Sequence, residues 1–504
     1  MGICTVLHLT VQTTSERRTP RAGHIMTFLS PGFMFIFLPL SLAVYSLVPK
    51  YLKSYSLPIF GCLFYVSLNL RSLPSLIILP LSVIGVTVAV ELYRKHRSPL
   101  PLTVCRVLML AATFGLLFIR IIGGGHAIGI GSVFCLMAGL SLCSDVLRGR
   151  GRLPDTAWDA VVYMTFFPLM LVGPFVRYGD FVEKVDRISF NTDNFASGAM
   201  RFIIGLLKCI CVAAVLEEAY VGIVSTAENE MSYLTVTILA VICGIRVFYL
   251  FSGYSDMARG VASMLGLRIP DDFSGHFSSV TPCDYVRGFC SGLLSFCRTY
   301  VTVPVSEIVS GIGGNSVAAV FAAFFYLLLF AGNIEILYLL MLPTVTVMIF
   351  IVLRTGHRRR RINPWLRVLG SVATFLTVSF FWWMIKIGSL EDLTRVFELA
   401  AARNAMFISP RLLSILGDVK YTLLPLSVGI VCSLISRTMR KDDAYLDSLQ
   451  RVGDPLCAPV DTLKRTVMRY ASAVILLISF CLAVMILLPQ YPELASTNHM
   501  FRFF

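Results

Sequence analysis

The chain has 504 residues, 56% of them hydrophobic and only 14% charged, with a mean hydropathy of +0.78. A soluble domain carries about 25% charged residues, so this composition excludes a water-soluble core and points to a chain embedded in a bilayer. The formal charge of +14 would suit a nucleic-acid partner, but the cations cluster at the ends of apolar runs, as in Arg94-Lys95-His96-Arg97 and Arg358-Arg359-Arg360-Arg361; that is the positive-inside pattern of cytoplasmic loops, and no nucleic acid is expected.

In chain order, residues 1–25 are polar and basic and precede the first apolar run. They have no apolar stretch leading to a small-residue cleavage site. They read as a cytosolic tail or an upstream start-site artefact, with Met26 a natural start. Residues 26–504 read as one membrane domain. Apolar runs follow at 27–49, 54–70, 72–90, 107–119, 121–144, 161–176, 199–216, 231–250, 315–334, 336–353, 365–385, 420–435 and 469–489. A helix needs about 20 apolar residues to cross a bilayer, which predicts an all-α, multi-pass protein of roughly eleven crossings. The short runs 107–119 and 161–176, the latter interrupted by Pro168 and ending at Gly173-Pro174, are expected to be broken or re-entrant.

The longest polar interruptions are 177–198, 251–288, 386–419 and 437–468. The second opens with Phe251-Ser-Gly-Tyr-Ser-Asp-Met-Ala-Arg-Gly260, which puts the ionisable Asp256 directly after an apolar run. Such a group is expensive in a membrane and marks a candidate site. Arg177, Arg259 and Arg268 are its candidate partners. The fourteen cysteines lie mostly inside apolar runs and form no C-x-x-C pair, and the seven histidines make no ligand-spaced pair, so no metal is expected.

Several of these segments resemble, in order, the membrane-bound O-acyltransferase family, in the bacterial polysaccharide branch that contains alginate O-acetylation proteins and the D-alanine transfer protein of teichoic acids. Phe33-Met-Phe-Ile-Phe-Leu-Pro-Leu40 is similar to its opening helix, and Asp145-Val-Leu-Arg-Gly149 to a D-V-Y-R-G-like signature. Phe166 to Tyr178 resembles F-P-x-L-x-x-G-P-x-x-R-[FY], and Phe251 to Gly260 resembles D-F-S-G-Y-S-D-x-A-x-G with Leu250 in place of the leading Asp. Met500-Phe-Arg-Phe-Phe504 weakly echoes an aromatic ending. The resemblance implies a helical bundle around a central tunnel in the inner, cytoplasmic membrane. It also implies acetyl-CoA as a cytosolic donor, with no cofactor held permanently. Membrane lipids, an extracytoplasmic acyl-accepting protein and a cell-envelope polysaccharide are the implied partners.

The departures bear on chemistry. The first family histidine aligns with Cys290, and the catalytic histidine of the family's G-L-W-H-G-A signature aligns with Ala331. Acyl transfer to a hydroxyl uses a general base worth about 10² to 10⁴ in rate, and alanine supplies none. By resemblance Tyr254, Ser255, Asp256, Arg287 and Asn333 line the tunnel, and Gly173, Pro174 and Arg177 shape a neighbouring loop. Three replacements for the base stay open: Cys290 as a nucleophile activated by Arg287, an imidazole from His126 or His276, or Asp256 itself. The implied function is a degenerate or altered polysaccharide O-acetyltransferase; a non-catalytic scaffold or ligand passage is the alternative.

Overall fold

The computed structural model describes residues 27–49, 53–69, 73–122, 130–170, 176–185, 192–226, 231–267, 279–289, 291–308, 314–330, 364–402, 410–418 and 420–436, with a few single positions between them. All regular elements among these residues are helical. In chain order they are α1 (Gly32–Leu47), α2 (Lys53–Asn69), α3 (Leu73–His96), α4 (Leu100–Ile122), α5 (Ile130–Leu147), α6 (Ala157–Met164) and α7 (Tyr178–Val185). There follow α8 (Thr192–Leu207), α9 (Val215–Thr226), α10 (Tyr233–Met264), α11 (Pro282–Phe289), α12 (Ser291–Cys297) and α13 (Val303–Ile308). The last described are α14 (Gly314–Phe330), α15 (Pro364–Ile387), α16 (Leu390–Ala401), α17 (Pro410–Gly417) and α18 (Leu423–Ser436).

Among the described residues, five stretches are long and apolar enough to cross a bilayer: Ser75–His96, Leu100–Ile122, Asn194–Ser225, Tyr233–Met264 and Trp365–Ile387. Shorter apolar helices, α1, α2, α5 and α18 among them, pack with these. The run at 469–489 lies outside the described residues. Two expectations change. The short run at 107–119 is part of the 23-residue α4, because Arg106 and Arg120, which bound the run in the sequence, are carried inside the helix and Arg120 is buried. The polar string at 251–260 does not interrupt the membrane segment; it is the C-terminal half of α10. The break at 161–176 is as expected: α6 stops at Met164 and a tight 3₁₀ turn follows at Phe167–Leu169 around Pro168.

α10 has a start and a stop written into its flanks. Ser232 accepts a hydrogen bond from the Thr235 backbone N–H at 3.2 Å, and Gly266, at φ +93°, closes the far end, with Leu267 N–H donating to Ala262 O at 2.8 Å. These are a serine N-cap and a left-handed glycine C-cap. The 32 residues between them are about 48 Å of helix at 1.5 Å per residue, well beyond a hydrocarbon core of about 30 Å.

Its partner is the α8–α9 rod, continuous from Asn194 to Ser225 through a π-helical segment at Lys208–Ala214. The two rods run antiparallel on a glycine seam. A Cβ on Gly198 would lie 2.6 Å from Gly260 O, and one on Gly205 would lie 2.4 Å from Gly253 O. Small residues at a helix contact let two backbones approach, which is how membrane helices gain packing energy without a hydrophobic force between them.

The chain entry packs on the same rod. Phe28 stacks on Tyr254 at 6.1 Å, and Phe28, Phe33, Phe37, Phe64 and Phe167 interlock through ring contacts of 5.0 to 6.0 Å. Each such pair adds about 0.5 to 1.5 kcal/mol beyond its buried area. The outward faces of α3, α4 and α15 expose Ile77, Leu81, Leu108, Leu366 and Leu369, as lipid-facing helices do.

Candidate functional site

Asp256 lies eight residues before the end of α10. Its Oδ2 is 2.5 Å from Lys208 Nζ, its Oδ1 is 3.6 Å from Arg259, and the Lys208 ammonium also donates to Ser252 Oγ at 3.0 Å. The Asp256 side chain is 10% exposed and that of Lys208 5%. Lys208 is the first residue of the π segment, a wide turn that often marks functional positions in helices. Of the three arginines read as partners, Arg259 takes that role, one turn along the same helix. The principal partner, Lys208, is a cation in the middle of the apolar run 199–216 and was readable there as a charge needing a mate.

Tyr254 and Ser255, the two residues before Asp256, are buried, Tyr254 against Phe28. Gly253 and Gly260 of the same motif belong to the glycine seam. One string of ten residues therefore supplies both a helix contact and a charge pair.

One turn earlier on α10, Phe251 joins an aromatic group with Phe289, Phe330 and Trp382. Its ring lies 5.7 Å from Phe289, 5.9 Å from Phe330 and 6.0 Å from Trp382, and Trp382 is 5.5 Å from each of the other two. Phe289 and Phe330 are the residues immediately before Cys290 and Ala331. The chain is thus anchored to the same two rings just before both of those positions. Cys290, Ala331, Asn333, Pro174, His126, His276 and Arg268 themselves lie outside the described residues.

Arg287 is half-exposed on α11 and faces Asp284 at 3.8 Å. Among the described residues no three metal-ligating side chains converge.

A second polar centre joins two other motifs. Tyr300 donates to Asp145 Oδ2 at 2.8 Å, Gly179 N–H donates to the same oxygen at 3.1 Å, and Ser141 Oγ donates to Tyr300 while accepting from Tyr178 N–H at 3.1 Å. Arg177 donates to Ser295 on α12, and Arg148 to Thr299 O at 2.8 Å. Gly173 sits at φ +108°, a conformation open to glycine, with the Phe134 ring 3.2 Å from where a Cβ would stand. The Asp145 signature therefore clamps the loop of Arg177 and Tyr178 onto the segment that holds Tyr300. Removing one hydroxyl there, Tyr300→Phe, leaves a buried carboxylate short of a donor. It is expected to cost about 1 to 3 kcal/mol, read as a lowered melting temperature in detergent.

Residues 151–389 match the model of the membrane-bound O-acyltransferase family. This stretch, a little under half of the chain, is what resembles the family. The probable alginate O-acetylase AlgI of Azotobacter vinelandii is 25% identical over 309 residues, covering 58% of this chain and 60% of that protein. The protein of the same name from Pseudomonas aeruginosa is 26% identical over 189 residues, 37% of this chain and 34% of its own length. A peptidoglycan O-acetyltransferase of Helicobacter pylori is 24% identical over 163 residues, 32% of this chain and 29% of that protein. The chain thus spans at most about three-fifths of these relatives. The matched region holds all of α6 to α15, and so the Asp256 pair, the glycine seam and the aromatic group. Over that region the chain resembles O-acetyltransferases of the family's polysaccharide branch, and its apolar helices are those of a multi-pass membrane protein.

Proposed function

We propose that this protein is a degenerate O-acetyltransferase of the inner membrane, a bundle of the family type that works in envelope-glycan acylation without a histidine general base. Its relatives are named for O-acetylation of alginate or peptidoglycan, and a glycan of that kind is the acceptor its partners would handle. Acetyl-CoA is the donor on the cytosolic side, and an extracytoplasmic acyl-accepting protein is the partner on the other. Gly173, Pro174 and Arg177 shape the loop beside the site in this reading. Tyr254, Ser255, Arg287 and Asn333 line it.

The observation that carries the reading is the state of Asp256. The carboxylate retained in the motif is committed to Lys208 at 2.5 Å and Arg259 at 3.6 Å. A carboxylate ion-paired to that extent is a poor proton acceptor, which removes one of the three replacements for the base. By the resemblance, the two positions of the family's histidines are Cys290 and Ala331 here. A bundle that keeps its packing and loses its base serves to hold an acyl ligand or a partner.

The test is transfer of labelled acetyl from acetyl-CoA to envelope glycan in membranes containing this protein, beside membranes containing the Azotobacter relative. A rate at least about 10² lower is expected, the scale of general-base catalysis. Transfer matching the relative, and lost on Cys290→Ser, His126→Ala or His276→Ala, would replace this reading with an active enzyme using that residue.

A further inference from the structure

Where α3 and α5 end, and α4 and α6 begin, the surface carries cations that hold no part of the fold together. α3 ends at Lys95-His96 and turns through Arg97, while α5 ends at Leu147 and turns through Gly149, at φ +65°, into Arg150. Arg94 ties the two turns together by donating to Pro154 O. Lys95, Arg97 and Arg150 are all exposed. The nearby carboxylates are already engaged: Glu91 pairs with Arg94 at 3.0 Å, Asp155 pairs with Arg152 at 3.0 Å, and Asp159 accepts from the Thr156 N–H at 2.9 Å. Among the described residues no carboxylate pairs with Lys95, Arg97 or Arg150. By the positive-inside rule this rim is cytoplasmic.

Helix dipoles do not reverse the sign of this face. The C-termini of α3 and α5 carry about −0.5 charge each and the N-termini of α4 and α6 about +0.5 each, so the four ends cancel and the side chains decide. Arg97 stands out by its backbone as well. At φ +54° it is the one left-handed residue other than glycine among those described. Glycine takes such a position after a helix without steric cost, as Gly149 does after α5; arginine meets that cost and keeps a cation at the rim.

Apolar surface leads straight to these charges. Ile77, Leu81, Ile84, Val88 and Leu92 are exposed along one face of α3, a stripe of about 22 Å at 1.5 Å per residue. One leaflet is half of a core about 30 Å thick, so an acyl chain laid on that stripe brings its headgroup to Lys95 and Arg97. Aromatic rings mark the same level. Tyr55 at the start of α2 lies 5.1 Å from Trp158 in the first turn of α6, three residues after Asp155, and such rings collect where headgroups meet the core.

We propose that Lys95, Arg97 and Arg150 bind the headgroup phosphate of an anionic phospholipid of the cytoplasmic leaflet, with its acyl chain lying along α3. The phosphate gains charge-assisted hydrogen bonds from these donors, and the net negative charge of the lipid adds attraction that a zwitterionic headgroup lacks. Neither acyl transfer nor the state of Asp256 enters into it.

The test is native mass spectrometry of the full-length protein in detergent, offered equal amounts of phosphatidylglycerol and phosphatidylcholine. Wild type should retain phosphatidylglycerol in preference. The triple variant Lys95→Gln, Arg97→Gly, Arg150→Gln should lose that preference by about tenfold or more, since each basic side chain at the surface adds to the attraction. Glycine suits the left-handed turn at 97 and the other two positions are exposed, so the variant should fold as the wild type does. Lys95→Arg with Arg150→Lys keeps the charge and should keep the preference. Arg367→Gln should keep it too, because that exposed cation stands at the start of α15. Equal retention of both lipids by wild type, or undiminished preference in the triple variant, overturns the proposal. Displacement of phosphatidylglycerol by inorganic phosphate alone also overturns it, because the site would then take a free anion rather than a lipid.

Discussion

Replacing Gly205 or Gly260 with leucine is expected to destroy the folded bundle, the largest effect of any substitution on the α8–α10 seam. At Gly205 even the first carbon of a side chain would stand 2.4 Å from Gly253 O and 2.8 Å from Met257 N. At Gly260 it would stand 2.6 Å from Gly198 O and 2.7 Å from Phe202 N. These obstacles are backbone atoms, which cannot swing aside as a side-chain end can, so the two longest helices must separate. Overpacking a tight contact costs typically about 1 to 3 kcal/mol and more where the backbone must move. Here it strikes a backbone-to-backbone seam between membrane helices, whose association depends on close packing as well as on bonds such as Lys208–Asp256. The measurement is the fraction of a fluorescent fusion that stays monodisperse in detergent after heating. Gly115→Ala on α4, where no atom lies within 4 Å of the added carbon, is the control. It should keep its melting temperature or gain slightly, since glycine inside a helix costs about 0.5 to 1 kcal/mol relative to alanine. A Gly260→Leu protein as heat-resistant as that control would remove the seam from the account.

The seam also shows where sequence reading stopped. Composition and apolar runs give a multi-pass helical protein, and the motifs give its resemblance to a family, because both depend on residue types along one chain. The helix through 251–264 was hidden because a polar string after an apolar run looks like an exit from the membrane. It stays helical since its charges are answered from the neighbouring rod, by Lys208, and its glycines by Gly198 and Gly205. Pairings of that kind join residues about 45 to 60 positions apart and leave no local periodicity. The ends of α10 were legible at Ser232 and Gly266, where the signal is local. The ion pairs of Glu217 on α9 with Arg246 on α10 at 2.7 Å and Lys386 on α15 at 2.5 Å had only a weak trace in sequence, three charges in or beside apolar runs on three different helices. The Asp145 centre was half visible: its signature and the Arg177 loop were read as separate markers, and Tyr300 is what joins them.

Asp256→Asn decides whether the motif carboxylate is structural or chemical. Asparagine keeps the shape and removes the charge, so Lys208 and Arg259 would be left as buried cations without their shared anion. Breaking a buried pair by removing one partner costs about 3 to 5 kcal/mol, whereas replacing both by apolar groups is often neutral. Lys208→Met alone should be similarly damaging. The double variant Lys208→Met with Asp256→Asn should be more stable than the two single losses predict by about 0.5 to 3 kcal/mol, the range of coupling for residues in contact. The Ser252 Oγ bond at 3.0 Å is lost with Lys208 in both the single and the double variant, so it cancels from that coupling. A catalytic carboxylate behaves otherwise: Asp256→Asn would leave the melting temperature in place and abolish only transfer. Thermal unfolding of the four proteins therefore separates the two roles without any substrate. The expected pattern, two unstable singles and a recovered double, makes the best-preserved family marker on this chain a brace between α8 and α10.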